Sequence, residues 1–207
     1  MFHSVPRGDD IRNGNCSVGT AVRFTLMRCT SLLSNEHKAI QRGLRLLRTV
    51  APRAARGDRE SIEDALTLLD FFREFLDHCH FLKEETLLFP RMRKHMPGGS
   101  GSLTMTLLEH DQIRAVLHNM RNALDGQPAQ FGLYAERLGQ LLAGHIGKED
   151  KALFPKVQSL LSEQDDEEMT TAFEAVETRL GEDVNERFYR ILESLEERYL
   201  PGLEKAG

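Results

Sequence analysis

The chain has 207 residues, which is enough for one domain with a sizeable hydrophobic core. Its net charge of −5 and its pI of about 5.9 give no electrostatic reason to expect nucleic acid or an anionic membrane as a partner. No stretch of 18 residues is free of charged side chains, which excludes a membrane-spanning helix.

The cysteines and the N-terminus bear on the cellular compartment. Cys16, Cys29 and Cys79 are odd in number and form no C-x-x-C pair, so neither a disulfide framework nor a cysteine-based zinc site is expected. Residues 1–16 contain no apolar run of the kind found in signal peptides. These features predict a reducing, cytoplasmic location and an irregular N-terminal arm over residues 1–23.

The chain beyond this arm shows helical periodicity and strong helix formers, with almost no strand signals. A first helix is predicted to begin between residues 24 and 30 and to end near Pro52. A second helix is predicted to follow Gly57-Asp58 and to run to about His95. It contains Pro90, which should kink or break it after the Leu-Phe pair that precedes the proline.

Two further helices are predicted beyond a Pro-Gly-Gly-Ser-Gly loop at residues 97–101. One should span about 102–124. The other should follow a turn at 125–128 and run from about 129 to 161, again with a proline after a Leu-Phe pair. Residues 24–161 are therefore predicted to form the main helical domain.

The end of the chain differs in composition from these helices. It is acidic, and its apolar residues recur every three or four positions, which predicts two amphipathic helices joined near Gly181. This extension, residues 162–207, repeats none of the motifs described below. It is predicted either to cover the main domain or to form a homodimer contact.

Within the main domain, the chain repeats one phrase. Residues 80–90 read HFLKEETLLFP and residues 145–155 read HIGKEDKALFP, so both match H-x-x-K-E-[E/D]-x-x-L-F-P. A shorter echo, Glu-His, precedes each copy at 36–37 and 109–110. A His and a Glu four residues apart lie on the same face of a helix. The repetition predicts two copies of a two-helix unit, each carrying one His and one His-x-x-x-Glu pair.

The six repeated histidines and glutamates lie in the apolar, core-facing stripes of their helices. Burial of an ionised carboxylate is costly unless a partner or a metal compensates its charge. Two such carboxylates beside four imidazoles predict a site for two metal ions. Oxygen and nitrogen ligands without a thiolate favour iron or manganese over zinc. The predicted ligands are His37, His80, Glu84, His110, His145 and Glu149.

Other residues near this set are open to more than one interpretation. The register of the last ligand could shift by one residue, with Asp150 replacing Glu149. Glu36 and Glu109 are candidates for holding a ligand His through its second ring nitrogen, although each points away from the His next to it. Tyr134 shares the ligand face of its helix, where it could pack in the core or act beside the metal.

Two more pairs recur in the repeated phrase. Lys83 and Lys148 occupy equivalent positions, and both are expected to be solvated or to snorkel to the surface rather than to act in catalysis. Glu85 and Asp150 follow the two ligand glutamates and are expected to pair with Lys or Arg.

These motifs resemble those of the hemerythrin-like family, the His-His-Glu cation-binding domain. The resemblance covers about residues 30–158 and rests on the two Glu-His pairs and the two repeated phrases. It implies an all-α protein with an antiparallel up-down four-helix bundle, built from two helical hairpins, around a non-haem di-iron centre with an oxo or hydroxo bridge. The four His would be terminal ligands of the two Fe ions, and Glu84 and Glu149 would bridge them.

The ligand set departs from that of oxygen-carrying hemerythrins at two positions. Those proteins have a second His four residues after the third-helix His, where this chain has Arg114. They also have a carboxylate five residues after the last His, where the spacing here is four. When the four His, the two bridging Glu and the bridging oxygen are counted as ligands of two six-coordinate irons, about two coordination positions stay open on the iron pair. Arg114 could donate to a bound anion, pair with a bridging Glu or extend to the rim.

A more open site is typical of family members tied to nitric-oxide stress, iron–sulfur cluster repair, or peroxide and oxygen handling. We expect a cytoplasmic protein that binds or senses O2, NO or H2O2 under oxidative or nitrosative stress, with the C-terminal helices reporting the state of the site. The alternatives are an enzyme that reduces NO or peroxide, an iron donor for cluster repair, and a structural metal protein. The residues do not decide whether the protein is an enzyme.

Overall fold

The structure is a computed structural model that describes residues 27–96 and 101–201, without the side chains of residues 182–185. This part of the chain is almost entirely helical and contains no strand. We number the helices α1 (Arg28–Ala54), α2 (beginning at Arg59 and ending at His95), α3 (Gly101–Gly126), α4 (beginning at Pro128 and ending at Leu160), α5 (Glu163–Leu180) and α6 (Glu182–Tyr199). The predicted arm over residues 1–23 and most of the loop at 97–101 lie outside the described residues.

Helices α2 and α4 contain π turns within the two repeated phrases and directly before the first of them. These turns are Leu76–His80 and Glu84–Leu88 in α2 and Glu149–Leu153 in α4. At the end of each of the three, a Phe N–H donates to the carbonyl oxygen five residues earlier, that of Leu76, Glu84 or Glu149. The α-helical stretches around them are Arg59–Phe75, Phe81–Lys83, Phe89–His95, Pro128–Lys148 and Phe154–Leu160.

Of the two predicted effects of Pro90, a kink or a break, the break does not occur, because α2 continues through Pro90 to His95. A distortion does occur, but it is a π turn on the N-terminal side of the proline. Proline lacks an N–H and its ring crowds the carbonyl four residues earlier, so a wider turn lets the helix pass it. Pro52 likewise lies inside the last turn of α1 rather than at its end.

Helices α1 to α4 surround a common interior. Helix α1 packs against α2 and α4, and α3 packs against the same two helices. Gly43 allows the close approach of α1 to α2, because a Cβ at this position would lie 2.8 Å from a ring carbon of Phe71. Among the described residues, no helix is long and apolar enough to cross a membrane.

The two C-terminal helices pack on the chain itself. Ser162 and Asp165 form a capping box at the start of α5, and Asp166 accepts hydrogen bonds from the backbone N–H groups of Arg28 and Cys29 at the start of α1. Apolar side chains from both helices join the buried core: Met169, Phe173, Phe188, Leu192, Leu195 and Tyr199. The extension therefore packs over α1 and α2, in line with one of the two alternatives predicted, and the homodimer stays a prediction.

Candidate metal centre

The structure brings all six predicted ligands into one cluster, which we call the inner cluster. Each of the six side chains is at most 1% exposed. α1 contributes His37, α2 contributes His80 and Glu84, α3 contributes His110, and α4 contributes the rest. The π turns lie at this cluster, since His80 ends one of them and each glutamate begins another. Such turns often occur where a helix adapts to a functional site.

Each of the two glutamates contacts two imidazoles, one from the first repeat and one from the second. Glu84 Oε2 lies 3.8 Å from His80 Nε2 and 3.3 Å from His110 Nε2. Glu149 Oε2 lies 3.2 Å from His37 Nε2 and 3.3 Å from His145 Nε2. The rings of His37 and His80 lie 4.8 Å apart edge to face, and those of His110 and His145 have the same spacing.

Although some of these nitrogens and oxygens lie 3.2 to 3.3 Å apart, none of the inward-facing atoms has a partner in hydrogen-bond geometry. Among the described residues, nine buried side-chain nitrogen and oxygen atoms lack one, and eight belong to the inner cluster. They are the four Nε2 atoms and both carboxylate oxygens of Glu84 and Glu149. Buried polar atoms are rarely left unpaired, because each would lose its hydration without compensation. One ligand atom from each of His80, Glu84, His145 and Glu149 lies within 4.8 Å of the others, which suits a shared cation.

A second layer of carboxylates holds the other ring nitrogen of every imidazole. Nδ1 of His80 lies 2.8 Å from Glu36 Oε2, and Nδ1 of His145 lies 3.2 Å from Glu109 Oε2. The remaining two pairs join the repeats, because Glu85 lies 2.7 Å from His110 Nδ1 and Asp150 lies 2.9 Å from His37 Nδ1. We call Glu36, Glu85, Glu109 and Asp150 the outer carboxylates. Carboxylates placed in this way fix the tautomer and orientation of metal-binding histidines.

This layer was only partly anticipated from the sequence. Glu36 and Glu109 do hold a candidate ligand, and each holds the His of a different helix rather than its own neighbour. Glu85 pairs with Arg114 as expected, but its contact with His110 was missed. Asp150 lies in this layer, and Glu149 points into the inner cluster. An acidic residue follows the ligand glutamate in both repeated phrases, and this recurrence was the sequence signal for the outer carboxylates Glu85 and Asp150.

The inner cluster cannot hold all its charges at once in the absence of a cation. Burial raises the pKa of Glu149, and the negative charge of Glu84 raises it further. Burial acts in the same direction on Glu84, but the positive charges of the nearby imidazoles lower its pKa overall. Burial lowers the pKa of His145 to about 4, whereas neighbouring carboxylates overcome burial and raise that of His110 to about 9. A bound cation would remove this conflict between buried carboxylates.

In the first repeat, α1 and α2, the surroundings of the repeated lysine are closed. Lys83 is fully buried, against the expected solvated role. Its Nζ contacts Glu36 and lies 2.5 Å from Glu177 Oε1 on α5. Cys79 Sγ donates to the same Glu36 carboxylate over 3.5 Å.

In the second repeat, α3 and α4, the surroundings of the equivalent lysine are open. Lys148 is 61% exposed, as expected, and pairs with Glu109. Arg114 donates to Asp77 over 2.6 Å and to Glu85 over 2.8 Å, so it pairs with an outer carboxylate and not with a bridging candidate. Tyr134 is partly buried and packs against buried apolar side chains of the core, in line with the core-packing interpretation.

The comparison with protein families agrees with this geometry. A family model described as Hemerythrin HHE cation binding domain matches residues 30–157, which is more than half of the chain. The matched range contains the whole inner cluster and ends before α5. Among curated proteins, none matches the chain.

Proposed function

The chain belongs to the hemerythrin HHE cation-binding family, and from that premise we propose that it is a non-haem di-iron protein that binds or senses O2, NO or H2O2. The proposed ligands are the four His and two Glu of the inner cluster, with both glutamates bridging the irons. The proposal includes an antiparallel up-down four-helix bundle for α1 to α4 and a cytoplasmic role in oxidative or nitrosative stress.

The eight unpartnered atoms of the inner cluster carry this proposal. Four imidazole nitrogens and four carboxylate oxygens fit the preferences of iron, whereas one zinc ion in its usual four-coordinate geometry would leave several of them idle. Each glutamate contacts an imidazole of either repeat, which supports a bridging role for both.

The residues around the cluster favour a small ligand. The Phe81 ring stacks on His110 with centroids 3.7 Å apart, and the Phe154 ring stacks on His37 at 5.4 Å. The six ligand side chains are at most 1% exposed, and with a metal bound the outer carboxylates would retain the Nδ1 protons so that each Nε2 lone pair faces the metal. Ferrous iron bound there would supply electrons and open coordination positions. A diatomic molecule or peroxide fits such an enclosed site better than a large substrate.

Binding or sensing is favoured over catalysis by the partners of Arg114. An enzyme that reduces NO or peroxide would benefit from a cation that faces the reacting ligand. Arg114 instead donates to Asp77, Glu85 and Asp111. Reduction of NO or peroxide, and iron donation for cluster repair, therefore remain the alternatives to be tested by turnover.

The test is the metal content of the purified chain together with its visible spectrum. We expect about two irons per chain, with charge-transfer bands that bleach under dithionite and change when O2 or NO is added to the reduced protein. Zinc as the native metal, or iron whose spectrum ignores each of these ligands, would refute the proposal. Repeated consumption of NO or peroxide in the presence of a reductant would favour the enzyme.

A further inference from the structure

The buried lysine of the first repeat connects the C-terminal extension to the inner cluster. Lys83 is fully buried and lies between two carboxylates, Glu36 on α1 and Glu177 on α5. Its ammonium group also lies 5.8 Å from the ring centroid of Phe173, another α5 residue. An ammonium group in such a place is stable only while its partners hold their positions.

The Glu36 carboxylate is the shared member of this chain of contacts. Its Oε2 is 2.8 Å from Nδ1 of His80, and its Oε1 contacts Lys83. Lys83 in turn is 2.5 Å from Glu177 Oε1. Three successive polar contacts therefore lead from α5 to a ring whose Nε2 faces the inner cluster.

The second repeat provides the contrast. Lys148, the equivalent of Lys83, contacts Glu109 but keeps 61% of its side chain in solvent. The repeated phrase alone therefore does not require a buried lysine, and helix α5 accounts for the difference.

We propose that Lys83 and Glu177 are positioning residues for His80, and that through Glu36 they link metal occupancy of the inner cluster to the docking of the end of α5. The inference rests on the proposed function, because it requires a metal at the inner cluster. It adds a named route by which the C-terminal helices respond to that metal.

The sign of this coupling follows from preorganisation. A metal bound at Nε2 needs the His80 ring in one orientation with its Nδ1 proton toward Glu36. Docked α5 holds Lys83, and Lys83 holds the carboxylate that fixes this orientation. Docking should thus raise metal affinity, and by reciprocity metal binding should stabilise the docked end of α5 by the same factor.

The experiment is hydrogen exchange of the full chain, read by mass spectrometry for residues 173–181, without iron and with saturating Fe2+ under anaerobic conditions. The variant is Glu177→Gln. The matched control is Glu167→Gln, an exposed glutamate on the same helix whose substitution changes the net charge equally. Fe2+ affinity of all three proteins is measured by competition with a chelator.

In the wild-type chain and in the control, we expect Fe2+ to slow exchange at the end of α5. In Glu177→Gln, we expect this protection to shrink and Fe2+ affinity to fall about fivefold, the lower end of ordinary coupling between sites. A merely structural role for Glu177 would speed exchange equally with and without iron and leave affinity unchanged.

Two kinds of failure can be distinguished. A wild-type chain that binds no iron would overturn the proposed function itself. A wild-type chain that binds iron with no change in exchange over residues 173–181 would overturn only the coupling, and this measurement needs no variant to fold.

Discussion

The two repeats of this chain are nearly the same inside and different outside. Each contributes two imidazoles and one glutamate to the inner cluster, and all six side chains are buried to the same degree. Outside the cluster, the first repeat is closed by α5 around Lys83, whereas the second leaves Lys148 61% exposed.

The difference shows which part of a metal site a repeated motif determines. Spacing along one helix places a His and a Glu toward the interior in both repeats. The electrostatic surroundings of the same lysine depend on what packs over it, and α5 lies outside the range matched by the family. If this is correct, the two repeats should respond alike to substitutions in the inner cluster and differently to substitutions around Lys83 and Lys148.

The largest effect is expected from removing an inner glutamate. Glu84→Ala and Glu149→Ala should each abolish iron binding. The loss of iron affinity should exceed the roughly 10–100-fold that follows from substitution of a residue that only supports a ligand. Metal analysis of the purified variants, with exposed Glu167→Ala as control, measures this. The two losses should be alike, because each carboxylate contacts an imidazole of both repeats. Full iron content in either variant would contradict the bridging assignment.

Metal removal should have the next largest effect. When the free metal concentration is a thousand times Kd, metal binding adds about 4 kcal/mol to the free energy of unfolding. For a chain of this size, each kcal/mol shifts Tm by about 2–4 °C, so we expect metal removal to lower Tm by roughly 8–16 °C. Calorimetry of the iron-loaded and chelated proteins measures it. A single transition is expected in both, since the repeats share one cluster. Two separate transitions would show that the repeats unfold independently, and an unchanged Tm would show that the cluster needs no cation.

The inequality outside the cluster is tested by one substitution at equivalent positions. Glu36→Gln leaves the buried Lys83 with Glu177 alone, so we expect a loss of about 3 kcal/mol, the lower end for breaking a buried ion pair. Glu109→Gln affects the exposed Lys148 and should cost no more than about 1 kcal/mol. Urea unfolding of the metal-free variants compares them. Equal losses would mean that α5 does not make the first repeat different.

The smallest effect is expected from Lys148→Met. An exposed lysine with one surface partner should change the free energy of unfolding by no more than about 0.5 kcal/mol. Iron affinity should stay within about twofold of the wild-type value, because salt already screens such a charge. Urea unfolding and chelator competition check both values. A larger change in iron affinity would show that the open repeat is also coupled to the site through its lysine.

Much of this molecule follows from the sequence alone. Helical periodicity, Gly57, Gly181 and the loop glycines predicted the order of the helices, and the ends differ from those predicted by a few residues. The doubled His-x-x-x-Glu spacing selected four residues of the inner cluster, because neighbours one helical turn apart must share a face, and the two Glu-His pairs selected His37 and His110. The same logic did not anticipate the π turns. Two of them lie directly before a Phe-Pro pair, where a wider turn lets the helix pass the proline, whereas Leu76–His80 has no proline near it.

Tertiary structure decided the contacts that join residues far apart in the chain. Glu36 and His80, and likewise His37 and Asp150, meet only because their helices pack side by side. The burial of Lys83 was expected from neither its identity nor its neighbours, because the same residue type in the same phrase is exposed at Lys148. Local spacing determines which face a side chain occupies, whereas packing against other segments determines its partners, its exposure to water and hence the energy of its charge.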